Sequence, residues 1–185
     1  MAGHSHWKTI KRTKESEDRK RGKIFSKIAH EIIIAVKERG KNIETNSRLR
    51  TIIEKAKQYN LPKDNIERAI KKGANELPGE NLEEVFFEAY GPGGIALIIK
   101  GITDNKNRTL SEIKQILNKN KGKIISSGGV FWMFEKNIDP KTGLSNWKAK
   151  QNIKISEKDK TACKKLLEEL KEIDATQEIY CNVVL

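Results

Sequence analysis

The stretch Val85-Phe86-Phe87-Glu88-Ala89-Tyr90-Gly91-Pro92-Gly93-Gly94-Ile95-Ala96-Leu97-Ile98-Ile99-Lys100 decides the fold of this chain. Its two arms, Val85 to Tyr90 and Ile95 to Lys100, are rich in β-branched and aromatic residues and flank a Gly-Pro-Gly-Gly corner. The glycines permit positive φ and the proline fixes a bend, so the spacing predicts a β-hairpin. Just upstream, Asn75 to Asn81, with Pro78 and Gly79, reads as a linker, and there the dominant apolar period changes from 3.6 towards 2. The chain is therefore expected to divide into a helical domain, 1–77, and an α+β domain, 78–185.

On the N-terminal side of that boundary the period is helical. Ile24, Phe25, Ile28, Ile32, Ile33 and Val36 recur on one face between Gly22 and Lys37, and Gly40 offers a stop. Asn46 or Ser47 can cap a second helix carrying Leu49, Ile52, Ile53 and Ala56. Pro62 restarts a third with Ile66, Ala69 and Ile70 before Gly73. Ahead of these three helices lies a basic arm, His4 to Arg21, with few apolar residues to fix it in a core; it is expected to stay mobile until a partner orders it.

On the C-terminal side, Leu110, Ile113, Ile116 and Leu117 define a helix, and Val130 to Glu135 reads as a third strand. Ser156, three residues before Asp159, can cap a helix with Cys163, Leu166, Leu167, Leu170 and Ile173 on its apolar face. A last strand is expected from Glu178 to Val184. The order β-β-α-β and then α-β predicts an antiparallel sheet with two helices on one face, similar to a ferredoxin-like layer. Between them Lys136 to Ile155 reads as a connector. Asp139-Pro140, Gly143 and Ser145-Asn146 favour turns, Asn152 to Ile155 could add one short edge strand, and Trp147 is expected to cover core.

The chain has 185 residues, with 37 Lys and Arg against 25 Asp and Glu, a formal charge of +12 and 36% hydrophobic residues. That size excludes a disulfide-stapled mini-protein and a large multidomain enzyme. Met1 to Lys14 lacks the apolar stretch of a secretory signal, and no segment approaches the roughly 18 consecutive apolar residues of a membrane span, so a cytoplasmic protein is expected. Cys163 and Cys181 show no C-x-x-C spacing, which argues against a disulfide framework or a zinc site. The charge is concentrated: Met1 to Leu77 holds 20 basic and 10 acidic residues, and Pro78 to Leu185 holds 17 and 15. The basic part should meet a polyanion, the plain alternative being a solvated surface that confers solubility.

Groups that could carry covalent chemistry are few. His4 and His6 lack a third ligand nearby and sit among cations, which disfavours a metal. His30 reads as a surface or half-buried helical residue. No G-x-S-x-G motif occurs, and Gly91 to Gly94 lacks the G-K-[ST] ending and following helix of a phosphate loop. Asp104-Asn105-Lys106-Asn107-Arg108-Thr109 is read first as a helix cap and second as a ligand contact. The expectation is a protein that is not an enzyme, has no cofactor or metal and takes no small-molecule substrate.

The arm is the more informative segment. Trp7 sits among Lys8, Lys11, Arg12 and Lys14; Arg19, Lys20, Arg21 and Lys23 follow, and through Lys27 nine cations stand against three acids. Such a run gives sequence-independent affinity for phosphates, and a tryptophan can stack on an unpaired base or anchor the arm on the helices instead. Arg48, Arg50, Lys55 and Lys57 on the next helix could extend the same basic face.

Ordered motifs along the chain resemble those of the YebC/PmpR family, which includes the mitochondrial translational activator of cytochrome oxidase subunit one. They are Ala2-Gly3-His4-Ser5-His6-Trp7, Lys20 to Lys27, Asn46-Ser47-Arg48-Leu49-Arg50, Leu61 to Ile70, Tyr90 to Gly94, Asp104 to Thr109, Trp132-Met133-Phe134-Glu135 and Gln177 to Asn182. The resemblance implies a helical N-terminal domain, α+β domains and a nucleic-acid-binding role in gene expression. Members are described as DNA-binding transcriptional regulators and as ribosome-associated translation factors, so DNA and ribosomal RNA both stand as partners. The matching basic segment supplies the candidate contacts: Trp7, Lys8, Lys11, Arg12, Lys14, Arg19, Lys20, Arg21, Lys23 and Lys27. Members typically carry a further α+β domain where this chain has only about twenty residues, Lys136 to Ile155. His6, Phe131 and Gly128-Gly129 also depart from the family pattern.

Overall fold

The computed structural model describes the backbone from His4 to Leu185 and the side chains from Glu17 onward. Helix α1 runs from His4 to Arg39 as one piece. The basic segment to Arg21 is thus helical and continuous with the apolar part, which corrects the expectation of an unstructured arm. The absence of an apolar stripe says only that no core holds this segment. Lys, Arg and Glu are themselves good helix formers, and a helix growing from a packed turn needs no new nucleus. Gly22 lies inside it, at a cost of about 0.5–1 kcal/mol relative to alanine.

Gly40, at φ +80°, ends α1, and its N–H donates to Val36 O at 2.8 Å. Buried Asn46 then joins two helices: Oδ1 accepts from Leu49 N at 3.0 Å, capping α2 (Ser47–Gln58). Its Nδ2 donates to Ala35 O and Gly40 O, both at 2.8 Å, at the end of α1. Helix α3 (Lys63–Gly73) crosses α1 so closely that a Cβ on Gly73 would stand 2.8 Å from Ile33 O and from Val36 Cβ. Ile28, Ile32, Leu49, Ile52, Ala56 and Ala69 form the shared core, which also takes in Leu82 from the linker and Ile102 from the sheet.

Strands β1 (Glu83–Tyr90) and β2 (Ala96–Thr103) form the expected hairpin, with Phe87 opposite Ile99. Its corner is a single 3-10 turn at Pro92–Gly94 in which Gly93 and Gly94 take φ of +70° and +76°. Helix α4 (Lys106–Lys119) leads to β3 (Lys123–Ile125), β4 (Phe134–Ile138) pairs with β5 (Ser145–Ala149), and α5 (Glu157–Lys171) leads to β6 (Thr176–Cys181). The main sheet has the order β3-β1-β2-β6, every neighbour antiparallel. Alternation sends Val85, Phe87, Leu97 and Ile99 against Ile113 and Leu117 of α4 and Cys163, Leu166 and Leu170 of α5. The opposite face, with Ala96 and Ile98, is covered by Val130, Phe134 and Trp147. Every residue of β2 is buried, which is why Ala96 to Ile99 read as consecutive apolar residues without alternation.

The α+β class and the two helices on one face follow the sequence reading; the third strand does not. The sheet uses Lys123–Ile125, whereas Val130 to Glu135 holds a 3-10 turn at Phe131–Met133 and the start of β4, on the other face. Glu88 is the physical reason: its buried carboxylate captures the N–H groups of Gly128, Val130 (2.6 Å) and Phe131 (3.0 Å) and turns the chain across the sheet. The connector is itself the β4–β5 hairpin. Asp139 and Gly143 make its turn as expected, but Ser145 and Asn146 belong to β5. Asn152 to Ile155 is no strand, its one ladder-like bond being Ile153 N to Asn182 O at 2.8 Å. The last strand ends at Cys181 instead of Val184. Trp147 does cover core, its ring 4.8 Å from that of Phe131 and 6.3 Å from that of Phe86.

Candidate nucleic-acid interface

The sequence-derived contacts fall into three groups. Trp7, Lys8, Lys11, Arg12 and Lys14 lie outside the described side chains, as do His4 and His6. Arg19, Lys20 and Arg21 are exposed on α1, and Arg21 is placed by the ring of Phe25, 5.2 Å from its guanidinium carbon. Arg50 is exposed on α2, with only a 3.4 Å contact to Glu44 O.

Lys23, Lys27 and Arg48 are engaged within the fold. Lys23 Nζ donates to Glu172 Oε2 at 2.9 Å and to Glu172 O at 2.8 Å, and lies 3.6 Å from Asp174. One turn on, Lys27 Nζ donates to Lys171 O at 2.9 Å. Both ammonium groups therefore sit on the last carbonyls of α5, the negative end of its dipole. The Glu172 hydrogen bond raises the Lys23 pKa and lowers that of Glu172, while burial, followed by the Lys23 charge, pushes that of Lys27 down. These two lysines clamp α1 to the sheet domain. Arg48 bridges Glu38 and Glu84, each at 2.7 Å, with its side chain 12% exposed. Burial opposes its charge, but the bonds to Glu84 and Glu38 prevail and raise its pKa. Buried Lys100, 3.5 Å from Glu84 and 3.6 Å from Glu178, continues this network across β1, β2 and β6.

A cleft of about 310 Å³ between α1 and α3 is lined by Phe25, His30, Arg68, Lys72 and Glu80. His30 is half-buried, as expected, and its Nδ1 has no hydrogen-bond partner; burial pushes its pKa below the usual histidine value. The Asp104–Thr109 loop acts as a cap, Asn105 accepting from Arg108 N at 3.0 Å. Buried Cys163 donates to Pro92 O at 3.4 Å, and Cys181 is free as well. Among the described residues no group of three His, Cys, Asp or Glu is placed to hold a metal, and no helix is long and apolar enough to cross a membrane. Sequence reasoning missed the clamp because Lys23 and Lys27 meet Glu172 and Lys171 across more than half the chain. Arg68 and Lys72, also missed, were legible only as an i, i+4 pair of cations on α3.

Comparison with known proteins places this geometry in a family. Residues 5–76 match the TACO1/YebC protein N-terminal domain, and residues 82–139 match the TACO1/YebC second and third domain. Relatives named "Probable transcriptional regulatory protein" from Fervidobacterium nodosum and Natranaerobius thermophilus are 54% and 55% identical over 136 residues, 74% of this chain. The alignment covers 54% of each of those proteins, so the chain spans about half the length of the curated relatives it matches. A crystal structure of a conserved hypothetical protein from Aquifex aeolicus superposes with a TM-score of 0.83 at 34% identity, covering 90% of this chain and 91% of that one. The shorter span is consistent with a missing insert, and the second match ends at residue 139, one residue past β4. With its helical unit and its sheet both matched, the chain belongs to the TACO1/YebC family.

Proposed function

We propose that this chain is a non-enzymatic, cytoplasmic regulator of gene expression that binds duplex DNA through the N-terminal half of α1. The carrying observation is that the Lys23 and Lys27 clamp fixes the helix on the sheet domain while Arg19, Lys20 and Arg21 remain exposed on the same helix. Cations on a rigid rod meet a row of phosphates at little conformational cost. The names of the relatives support the regulatory part of the reading. In this reading residues 1–77 form the binding domain and 78–185 the domain that holds it, with Trp7, Lys8, Lys11, Arg12 and Lys14 extending the contact. Arg50 contributes from α2, whereas Lys23, Lys27 and Arg48 act as anchors.

The test is fluorescence anisotropy with a labelled 30-base-pair duplex at several salt concentrations, comparing the full chain with Arg19→Ala/Lys20→Ala/Arg21→Ala. Each lost phosphate contact should reduce the slope of log affinity against log salt by about 0.9. An unchanged affinity and slope would overturn the assignment.

A further inference from the structure

Trp132 is 65% exposed, although tryptophan is on average one of the more buried residue types. Its ring is nonetheless tethered, since Nε1 donates to Gly129 O at 2.9 Å. The loop beneath it is fixed by Glu88, which binds the N–H groups of Gly128, Val130 and Phe131. It is also pressed against the sheet: a Cβ on Gly129 would come within 2.5 Å of Ile125 Cδ1. The indole therefore presents a face to solvent from a backbone that is already ordered.

Lysines lie on the strands beside it. Lys123 shares the sheet face of Ile125 by alternation along β3. On the other side Lys150 N donates to Met133 O at 3.0 Å, which puts Lys150 beside the turn that carries Trp132. Lys148, opposite Glu135 in the ladder, and Lys150 point outward, because Trp147 and Ala149, which alternate with them, face the core. None of the three lysines makes an ion pair among the described residues, and from Lys121 to Lys154 seven lysines stand against two acids, Glu135 and Asp139.

We infer that Trp132 is a stacking platform for an unpaired base of single-stranded RNA, with Lys123, Lys148 and Lys150 receiving the flanking phosphates. An aromatic face set among cations is the combination that holds single strands, because every base has a π-face and every linkage a charge. A base inside a DNA duplex is already stacked, and extruding it costs a few kcal/mol, whereas folded RNA offers unpaired bases in its loops. This surface lies on a different domain from the duplex contact and goes beyond that reading.

The full chain should be titrated by anisotropy into a labelled 12-nucleotide oligoadenylate RNA, the same sequence in DNA, and the 30-base-pair duplex. Trp132→Ala should weaken RNA binding roughly 5- to 100-fold, Trp132→Phe should keep most of the affinity, and duplex binding should not change. Unaltered RNA affinity in a Trp132→Ala protein with a wild-type thermal melt would overturn the inference. So would an equal loss on the duplex, which would make the effect electrostatic; single-stranded DNA should lose affinity as the RNA does, because stacking and phosphate contacts do not read the sugar, and a loss on the RNA with none on single-stranded DNA would overturn stacking as the cause. In the Arg19→Ala/Lys20→Ala/Arg21→Ala background the Trp132 dependence should persist, so failure of the duplex reading and failure of this one give different results.

Discussion

Replacing Glu88 by glutamine should destabilise the sheet domain by about 2–3 kcal/mol, since hydrogen bonds to a charged acceptor are worth about 1.5–3 kcal/mol each and all three are lost or weakened. Glu88 is 3% exposed; one carboxylate oxygen accepts from Gly128 N and the other from Val130 N at 2.6 Å and Phe131 N at 3.0 Å. An amide has one acceptor and one donor end. Whichever way it lies, its NH2 faces at least one of these N–H groups; the better orientation gives up the bond to exposed Gly128 and weakens those to buried Val130 and to Phe131. Relief from burying a charge offsets part of this loss. For a chain of 185 residues the predicted change corresponds to a fall in Tm of about 4–12 °C. Urea unfolding followed by far-UV circular dichroism gives the free energy, with an unchanged slope expected because the surface exposed on unfolding is the same. A Glu88→Gln protein within about 0.5 kcal/mol of wild type would refute the idea that this side chain steers the loop.

Two further predictions rest on single contacts. Gly73→Ala should cost about 1–3 kcal/mol in the same assay, because its methyl would meet Ile33 O and Val36 Cβ at 2.8 Å and push α3 away from α1; a neutral substitution would show that the crossing relaxes freely. Burial lowers the His30 pKa from its ordinary 6.5, against the opposing pull of Glu80, so the unfolded chain binds the proton more tightly than the folded one. Stability should therefore decline as pH falls below about 6.5, and His30→Gln should flatten that decline; parallel urea midpoints for the two proteins on the acid side of 6.5 would contradict it.

The legible parts of the fold are those written in local periodicity. Ile28, Ile32 and Val36 announced α1, Ser156 announced its cap, Asn46 and Ser47 offered two caps of which the structure uses Asn46, and the Gly91–Gly94 corner announced the hairpin. The basic segment before Gly22 was legible as charge and misread as structure, because charge pattern reports what a face can bury and not whether the backbone is helical. Val130 to Glu135 was misassigned because its β-like residues serve a second layer, and the side chain that sends it there is Glu88, some forty residues earlier. Trp132 was visible only as part of a motif, since exposure is not encoded in residue type.

By itself the sequence determined the α+β class, the helical N-terminal unit, the two helices on one face and the basic bias of the first 77 residues. Each of these follows from spacing or counting within a short window. Only the tertiary structure decided which cations are free. Lys23 and Lys27 lie in the same basic run as Arg19 and Lys20, yet they end on the C-terminus of α5 because packing brings residues 171 and 172 beside them. A charge's availability is a property of its neighbours in space, and those neighbours are set by long-range contacts that no local period records.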